Sequence, residues 1–300
     1  MKSCHSAKKE TTSCQAAIST MKIKEYDSPQ QFAAEHAQRW LATGVADGGA
    51  LNLERFSTNG ALERLICLAV VADADQVCQT AFVDPADQIC FSRASRAVLQ
   101  HLVDYLCAHE ITFPGIFAPQ PSSSEFVALY GAATGRIFTL VKQLNHFELT
   151  RLAPINLAAG HLRQATSADL DLLIQHNIAF QQDANTKRPF APEKSVTSEL
   201  AKGSLYVWER PDGEIVSSGR IIPDKTARSG EVSWIYTPAA YRRQGYATAL
   251  TYMLSKQLLD LGKAACFLSA DAANPAPNSI YRRIGYKEMC LMENWRRLDA

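Results

Sequence analysis

The C-terminal half of this chain contains a predicted strand that runs into a short turn and then a helix. The stretch Glu231–Leu250 reads EVSWIYTPAAYRRQGYATAL. Gly245 and Ala247 open the helix and leave its backbone unobstructed. A helix N-terminus attracts anions, because its first N–H groups have no acceptor and the helix dipole is positive there. Two turn arginines could add charge-assisted hydrogen bonds, so the pattern favours an anion site. It also fits an ordinary turn with solvated arginines.

Composition places the chain among ordinary globular proteins and excludes several functions. Its 300 residues are comfortable for two domains, and its net charge of +1 gives no general attraction to nucleic acid or to acidic membranes. The eight cysteines form no Cys-x-x-Cys pair, so we expect no metal site. Scattered thiols in apolar runs and the lack of a signal-like segment predict a cytoplasmic protein. Residues 1–20 are polar and predict a disordered extension.

The apolar pattern divides the rest into two blocks of similar order, with the division near Pro154. The second block reads as strand, helix, polar loop, hairpin, strand, helix, strand, helix and strand. These elements are predicted at Leu162–Gln164, Leu170–Phe180, Gln181–Ser195, Leu205–Glu209, Glu214–Pro223, Glu231–Thr237, Tyr246–Leu261, Cys266–Ala270, Asn278–Ile284 and Met289–Arg296.

The first block shows a similar but less regular order of predicted elements. Its elements are predicted at Pro29–Leu41, Leu65–Ala72, Cys78–Val83, Ile89–Ser92, Val98–Ala108, Gly115–Pro119, Ser124–Ala132 and Ile137–Leu152. The pattern predicts a mixed α/β (α+β) fold of two domains, residues 21–154 and 155–300. Each domain is expected to hold a mixed, mostly antiparallel, twisted sheet flanked by helices.

A second motif follows the fifth predicted strand of the second block. It reads NPAPNSIYRRIGY from Asn274 to Tyr286, with Tyr281 seven residues after the asparagine. Together with Arg242, Gly245 and the following Ala247, this motif resembles the GNAT superfamily of N-acetyltransferases. The family signature is Arg/Gln-x-x-Gly-x-Gly/Ala after its fourth strand, then Asn-Pro, a tyrosine and Gly-aromatic. The order and spacing of the two motifs in this chain agree with that resemblance.

The resemblance implies that the second block binds acetyl-coenzyme A (or another acyl-coenzyme A) as co-substrate. Backbone groups of Ile235, Tyr236 and Thr237 are then expected to bind the pantetheine arm and polarise the thioester carbonyl. The turn and helix start would hold the pyrophosphate, through Arg242, Arg243, Gln244, Gly245, Tyr246, Ala247 and Thr248. Asn274 would support the pantetheine arm, or else is a simple turn residue.

Two residues are the candidates for proton transfer. In the family, the tyrosine at the position of Tyr281 protonates the departing thiolate; a phenol with a pKa of about 10 is protonated at neutral pH and suits this role. Glu231 matches the general-base glutamate of histone-type members, or else is a solvated strand-end residue. No histidine follows His176 in this block, so a nearby histidine base is not expected. Ser233 could relay a proton, and Trp234, expected on the opposite strand face, is assigned to the core.

The first block lacks both motifs and resembles the degenerate N-terminal domain of tandem acyltransferases; the alternative is an unrelated α/β cap. Three of its histidines, His101, His109 and His146, are expected at the surface or in packing contacts. The predicted reaction is direct acyl transfer to a primary amine of a small molecule, peptide or protein, in a ternary complex. A non-catalytic acyl-coenzyme A sensor and a glycine- or glutamine-conjugating acyltransferase remain alternatives. Both monomer and homodimer are compatible with the sequence.

Overall fold

The structure, a computed structural model, describes residues 21–43, 65–72, 76–184, 191–223 and 229–298. The predicted extension at residues 1–20 lies outside these ranges. Backbone contacts divide the chain into two compact units. One consists of the chain up to Leu144 together with the stretch from Cys290 onwards, and the other is Asn145–Met289. Within the described ranges, no helix is long and apolar enough to cross a membrane.

The first unit is a mixed sheet covered by helices. Its elements are β1 (Lys22–Tyr26), α1 (Pro29–Thr43), β2 (Ile66–Val71), β3 (Val77–Asp84), β4 (Gln88–Phe91), α2 (Arg96–Ala108), β5 (Gly115–Pro119), α3 (Ser122–Thr134) and the start of β6 (Phe138–Leu149). Strands β1 to β4 pair antiparallel in sequence order, and β5 joins β4 in parallel. The main core lies between this sheet and α2 and α3, with Leu102, Ile116 and Phe126 fully buried.

The last strand, β12 (Lys287–Arg297), contributes to the first unit. Residues Met292–Arg296 pair antiparallel with β5. The carboxylate of Glu293 is buried in this unit, where it accepts hydrogen bonds from Ser123 Oγ and Gln143 Nε2 at 2.6 and 2.9 Å. The sequence placed the whole of residues 155–300 in the second domain. The contacts differ because the second half of β12 pairs with β5.

The second unit repeats the order of strands and helices. It holds β7 (His161–Gln164), α4 (Leu170–Asp183), α5 (Pro192–Ala201), β8 (Leu205–Glu209), β9 (Ile215–Pro223), β10 (Ser229–Tyr236), α6 (Tyr246–Asp260), β11 (Ala265–Asp271) and α7 (Pro275–Ile284). Strands β7 to β10 pair antiparallel in sequence order, and β11 joins β10 in parallel. The mixed α/β prediction is therefore confirmed.

Two apolar clusters place the helices of this unit on opposite faces of its sheet. Leu250, Leu254 and Leu258 of α6 pack with Val216 and Val232 on one face. On the other face, Leu173 of α4 and Val196 of α5 pack with Val207 and Trp234. The strand β10 thus carries side chains towards α6 on one face and towards α4 on the other.

Two elements differ from the sequence prediction. Strand β1 was not predicted, and α5 lies where a loop was expected at Gln181–Ser195. Pro192, one of two prolines in that segment, is the first residue of α5, a position where its missing N–H costs no hydrogen bond. Residues 185–190 of that predicted loop lie outside the described ranges.

Candidate functional site

The parallel strands β10 and β11 pair only at their start. Their register runs from Ser229, opposite Ala265, to Glu231, opposite Phe267, although both strands continue for several residues. Pairing of β10 with β9 is also irregular between Ser233 and Tyr236. Past Glu231, the backbone of β10 on the β11 side therefore has no strand partner among the described residues, and polar backbone groups there are open to a ligand.

Strand β10 has a bulge at Trp234, because the φ of this residue, 54°, lies in the left-handed region. The extra residue turns both Ser233 and Trp234 towards the same face. Ser233 Oγ accepts a hydrogen bond from Arg220 at 3.0 Å, and Arg220 lies 3.7 Å from Glu199 of α5. Trp234 is buried with the cluster under α4 and α5. Its core position was predicted correctly, but its placement on the face opposite Ser233 was wrong.

The turn after β10 ends in a glycine whose conformation is required. Gly245 has φ of 87° and precedes α6, and no side chain of the described residues caps this helix end. A Cβ at Gly245 would meet only Ala158 Cβ at 3.6 Å, so the backbone is open to close approach. The first N–H groups of α6 have no intrahelical acceptor, and the helix dipole is positive at this end. The arrangement suits a diphosphate.

The side chain of Arg242 already has protein partners. Its Nε donates to the Thr237 carbonyl at 2.9 Å, and its guanidinium forms an ion pair with Asp183 at the end of α4 at 2.6 Å. It also lies over the Tyr236 ring, 5.9 Å from the centroid. The arginine therefore fastens the turn to the ends of β10 and α4. Its predicted contact with a pyrophosphate remains a prediction, as do those of Arg243 and Gln244, which are exposed.

A third arginine, not singled out in the sequence, reaches the same helix end. Arg283 of α7 donates to Thr248 Oγ1 in the first turn of α6 at 2.7 Å. Its neighbour Arg282 instead pairs with Glu288. A cation at a helix N-terminus is disfavoured by the dipole, so Arg283 is well placed to meet an anion bound there. The adjacent pair of arginines after Tyr281 was the only signal in the sequence.

Tyr281 lies in the apolar cluster that contains Leu268 and Ala270 of β11 and against which Ile235 of β10 packs. It is 8 % exposed, and its ring makes edge contacts with Phe147 and Tyr286 at centroid distances of 5.7 and 6.0 Å. Burial raises the pKa of the Tyr281 hydroxyl to about 12. The phenol is therefore protonated at neutral pH, as a proton donor must be.

Asn274 acts as the N-cap of α7. Its Oδ1 accepts from the N–H of Ala276 at 3.3 Å. The neighbouring Asn278, which was not predicted, is buried and donates to the Asp271 and Asn274 carbonyls at 2.8 and 2.6 Å. Asn278 thus holds the connection from β11 to α7, while the predicted pantetheine contact of Asn274 remains a prediction.

A histidine does lie beside the end of β10. His176 of α4 is 5 % exposed, and its ring centroid is 5.1 Å from that of Tyr236. Its Nδ1 is 3.0 Å from Ser218 Oγ on β9. Burial lowers the pKa of His176 to about 4, so the imidazole is neutral at neutral pH. The expectation of no nearby histidine considered only residues after His176 and missed this contact, because α4 folds back over β9 and β10.

The remaining candidates lie apart from this strand end or are inert. Glu231 is buried, at the start of the fork where β10 and β11 still pair. Cys266 is buried on β11, and burial raises the pKa of its thiol to about 12, which disfavours the nucleophilic thiolate. In the described part of the chain, no group of three or more His, Cys, Asp or Glu side chains could hold a metal ion.

Comparison with protein families finds a match within the second unit. A family model described as "Acetyltransferase (GNAT) domain" matches residues 161–289. This range contains the fork, the turn, Tyr281 and His176. No curated protein matches the sequence.

Solved structures share the fold over most of the chain. An acetyltransferase of the GNAT family from Colwellia psychrerythraea is 14 % identical, with 92 % of this chain and 99 % of that chain covered and a TM-score of 0.58. A GCN5-related N-acetyltransferase from Sphaerobacter thermophilus is 16 % identical, with coverage of 92 % and 95 % and a TM-score of 0.59. A Drosophila protein is 12 % identical, with coverage of 92 % and 98 % and a TM-score of 0.61.

Proposed function

We propose that this protein transfers an acyl group, in the first place acetyl, from acyl-coenzyme A to a primary amine, because residues 161–289 match the GNAT acetyltransferase family model. Transfer is direct, with both substrates bound at once. The acceptor belongs to a small molecule or to a peptide or protein. The site lies wholly within the second unit, between the fork of β10 and β11 and the start of α6.

The observation that carries the proposal is the coincidence of three features at one strand end. The fork leaves backbone of β10 without a strand partner in the described part of the chain. Gly245 opens α6 with uncapped N–H groups, and Arg283 adds a cation there. A protonated tyrosine, Tyr281, lies in the adjoining core. An extended thioester with a diphosphate at its far end requires these three features together.

Each group has a distinct task when acyl-coenzyme A supplies the activated thioester. The N–H groups at the start of α6 and Arg283 bind the diphosphate. Unpaired backbone groups near Ile235 and Tyr236 bind the amide-bearing arm and stabilise negative charge on the thioester oxygen. Tyr281 donates its proton to the departing sulfur. No cysteine is needed as nucleophile, in keeping with the buried thiol of Cys266.

The protonated phenol favours turnover over a purely sensing role. A sensor needs the diphosphate site but has no use for a proton donor beside the thioester. The side chain that lines the approach to the strand end from α4 is a neutral imidazole, which agrees with an amine rather than with a second anionic ligand.

Calorimetry with acetyl-coenzyme A, coenzyme A and S-acetylpantetheine tests the binding step. We expect the two coenzyme A species to bind far more tightly than the pantetheine thioester, since it lacks the phosphates. Thiol release is then followed for acetyl-coenzyme A with a panel of small primary amines and lysine peptides, with buffer alone as control. Binding of acetyl-coenzyme A without thiol release from any acceptor would favour the sensor, and no binding at all would refute the proposal.

A further inference from the structure

Strand β9 accommodates the bulge of its neighbour β10 with a glycine. The bulge adds one residue to β10, so that Gly219 of β9 lies opposite both Trp234 and Ile235. A Cβ on Gly219 would come within 2.7 Å of Ile235 Cδ1 and 2.9 Å of Leu254 Cδ1. The glycine thus leaves room for the side chain of Ile235 against α6. Backbone pairing with β9 then resumes at Tyr236, where β10 ends.

A side chain of β9, Ser217, holds the backbone at this end of β10. Ser217 is fully buried, and its hydroxyl donates to the Tyr236 carbonyl at 2.8 Å. Its Oγ also lies 2.8 Å from Thr237 Oγ1. Because a serine hydroxyl has one proton, Thr237 is the donor in this second contact and Ser217 the acceptor. Ser217 therefore fixes both the last residue of β10 and the residue that follows it.

The hydrogen bond to the Tyr236 carbonyl sets the direction of the next N–H group. In a planar trans peptide, the C=O and the N–H of one unit point in opposite directions. Since Ser217 holds the Tyr236 carbonyl towards β9, the Thr237 N–H points to the other side of β10. The neighbour on that side is β11, which pairs with β10 only as far as Glu231. The Thr237 N–H therefore faces the fork.

The other backbone groups at this point are used by the protein or are missing. The Thr237 carbonyl accepts from Arg242 Nε at 2.9 Å, and Arg242 is held in turn by Asp183. The next residue, Pro238, has no N–H. The fork therefore offers a hydrogen-bond donor here, the Thr237 N–H. A carbonyl oxygen is the ligand group that matches it, and the amides of the pantetheine arm supply such oxygens.

We propose that Ser217 is a positioning residue for the cofactor, because it holds the peptide between Tyr236 and Thr237 so that the Thr237 N–H donates to a carbonyl oxygen of the pantetheine arm. The inference rests on the proposed acyl transfer. Ser217 is fully buried and does not touch the ligand itself. Without its hydroxyl, the Tyr236 carbonyl loses its donor and the peptide is free to rotate, which turns the N–H away from the fork. The defect lies in cofactor binding and not in proton transfer.

The test compares Ser217→Ala with Ser255→Ala, a matched control in the same unit. Ser255 of α6 is also fully buried, donates to the Thr251 carbonyl at 2.7 Å and lies 2.7 Å from a second hydroxyl, that of Tyr286. Thermal unfolding should show similar losses of stability in the two variants. In calorimetry, Ser217→Ala should bind coenzyme A and acetyl-coenzyme A about tenfold more weakly, the effect of one lost hydrogen bond, whereas Ser255→Ala should bind both like the wild type. Phosphoadenosine diphosphate, the nucleotide half of coenzyme A without the pantetheine arm, should bind equally to all three proteins.

NMR of the backbone amides gives a reading on the wild type alone. The amide proton signal of Thr237 should shift on addition of coenzyme A, and much less with phosphoadenosine diphosphate. The proposal is overturned if coenzyme A leaves this signal in place, or if Ser217→Ala and Ser255→Ala bind coenzyme A equally well. It is also overturned if Ser217→Ala loses affinity for the nucleotide half by the same factor as for coenzyme A. Absence of acetyl-coenzyme A binding in the wild type would instead refute the proposed function.

Discussion

Substitution of Gly245 tests the diphosphate site, because a second glycine with the same backbone conformation, Gly213, lies elsewhere in the unit. A comparison of the two separates the effect of the conformation from the effect of the position. Gly245 and Gly213 both have φ of 87°, and an added Cβ meets nothing closer than 3.6 Å at either position. The left-handed region costs an alanine about 1–2 kcal/mol. Gly245→Ala and Gly213→Ala should therefore destabilise the protein equally, by about 1–2 kcal/mol, since neither adds a clash.

The two variants should differ in binding. Gly213 lies in the turn between β8 and β9, whereas Gly245 sets the direction of the first N–H groups of α6. Relief of the strain in Gly245→Ala would rotate these groups away from the diphosphate, and the loss of one or two charge-assisted hydrogen bonds at about 1.5–3 kcal/mol each weakens binding by tenfold or more. Thermal unfolding and calorimetry with acetyl-coenzyme A measure the two effects. Equal acetyl-coenzyme A affinities in the two variants would show that Gly245 does not shape the diphosphate site.

Three further predictions concern charge. Arg283→Gln should weaken acetyl-coenzyme A binding by about tenfold at low salt. Arg282→Gln should not weaken it, because Arg282 lies on the same helix but pairs with Glu288. Calorimetry with acetyl-coenzyme A at two salt concentrations measures both effects. The pKa of Asp169 is lowered to about 2 chiefly by hydrogen bonds from Arg163. That pair therefore stabilises the fold by about 2 kcal/mol above pH 3.8, and this contribution is lost as the pH falls towards 2. In urea unfolding, Asp169→Asn should be less stable than the wild type at neutral pH, and the difference in unfolding free energy should shrink between pH 3.8 and 2. A difference that stays constant over this range would contradict the prediction. Burial lowers the pKa of His176 from 6.5 to about 4. The free energy of unfolding should therefore be highest above pH 6.5 and fall by up to about 3 kcal/mol as the pH approaches 4. His176→Gln should remove this pH dependence in urea unfolding, and an unchanged pH profile in the variant would count against the prediction.

Local pattern was sufficient for most of the fold. Helix α6 was predicted at Tyr246–Leu261 and lies at Tyr246–Asp260, and β5 has the predicted bounds Gly115–Pro119. Both elements have strong apolar periodicity and clear end signals, such as Gly262. Strand β1, of which only Tyr26 is buried, carries little apolar signal and was missed. The local pattern of apolar residues also does not show which strands pair, so the sequence did not reveal that β12 joins β5.

The site was predictable where it depends on backbone and not where it depends on long-range packing. The turn at Gly245 follows from residue type, because only glycine readily adopts its conformation. The contacts of Arg242 with Asp183, of Arg283 with Thr248 and of His176 with Ser218 join residues that are 59, 35 and 42 positions apart. No spacing rule links such residues, and they could be found only once the helices were placed.

Removal of the Tyr281 hydroxyl tests most directly whether this side chain protonates the departing sulfur. Tyr281→Phe removes one hydroxyl and keeps the ring contacts with Phe147. Tyr286→Phe is the matched control, since the Tyr286 hydroxyl bonds Ser255 within the same core. Single-turnover thiol release and calorimetry should show that Tyr281→Phe binds acetyl-coenzyme A like the wild type but turns over about 100-fold more slowly, while Tyr286→Phe keeps its rate. Equal rates for Tyr281→Phe and the wild type would show that Tyr281 does not protonate the departing sulfur.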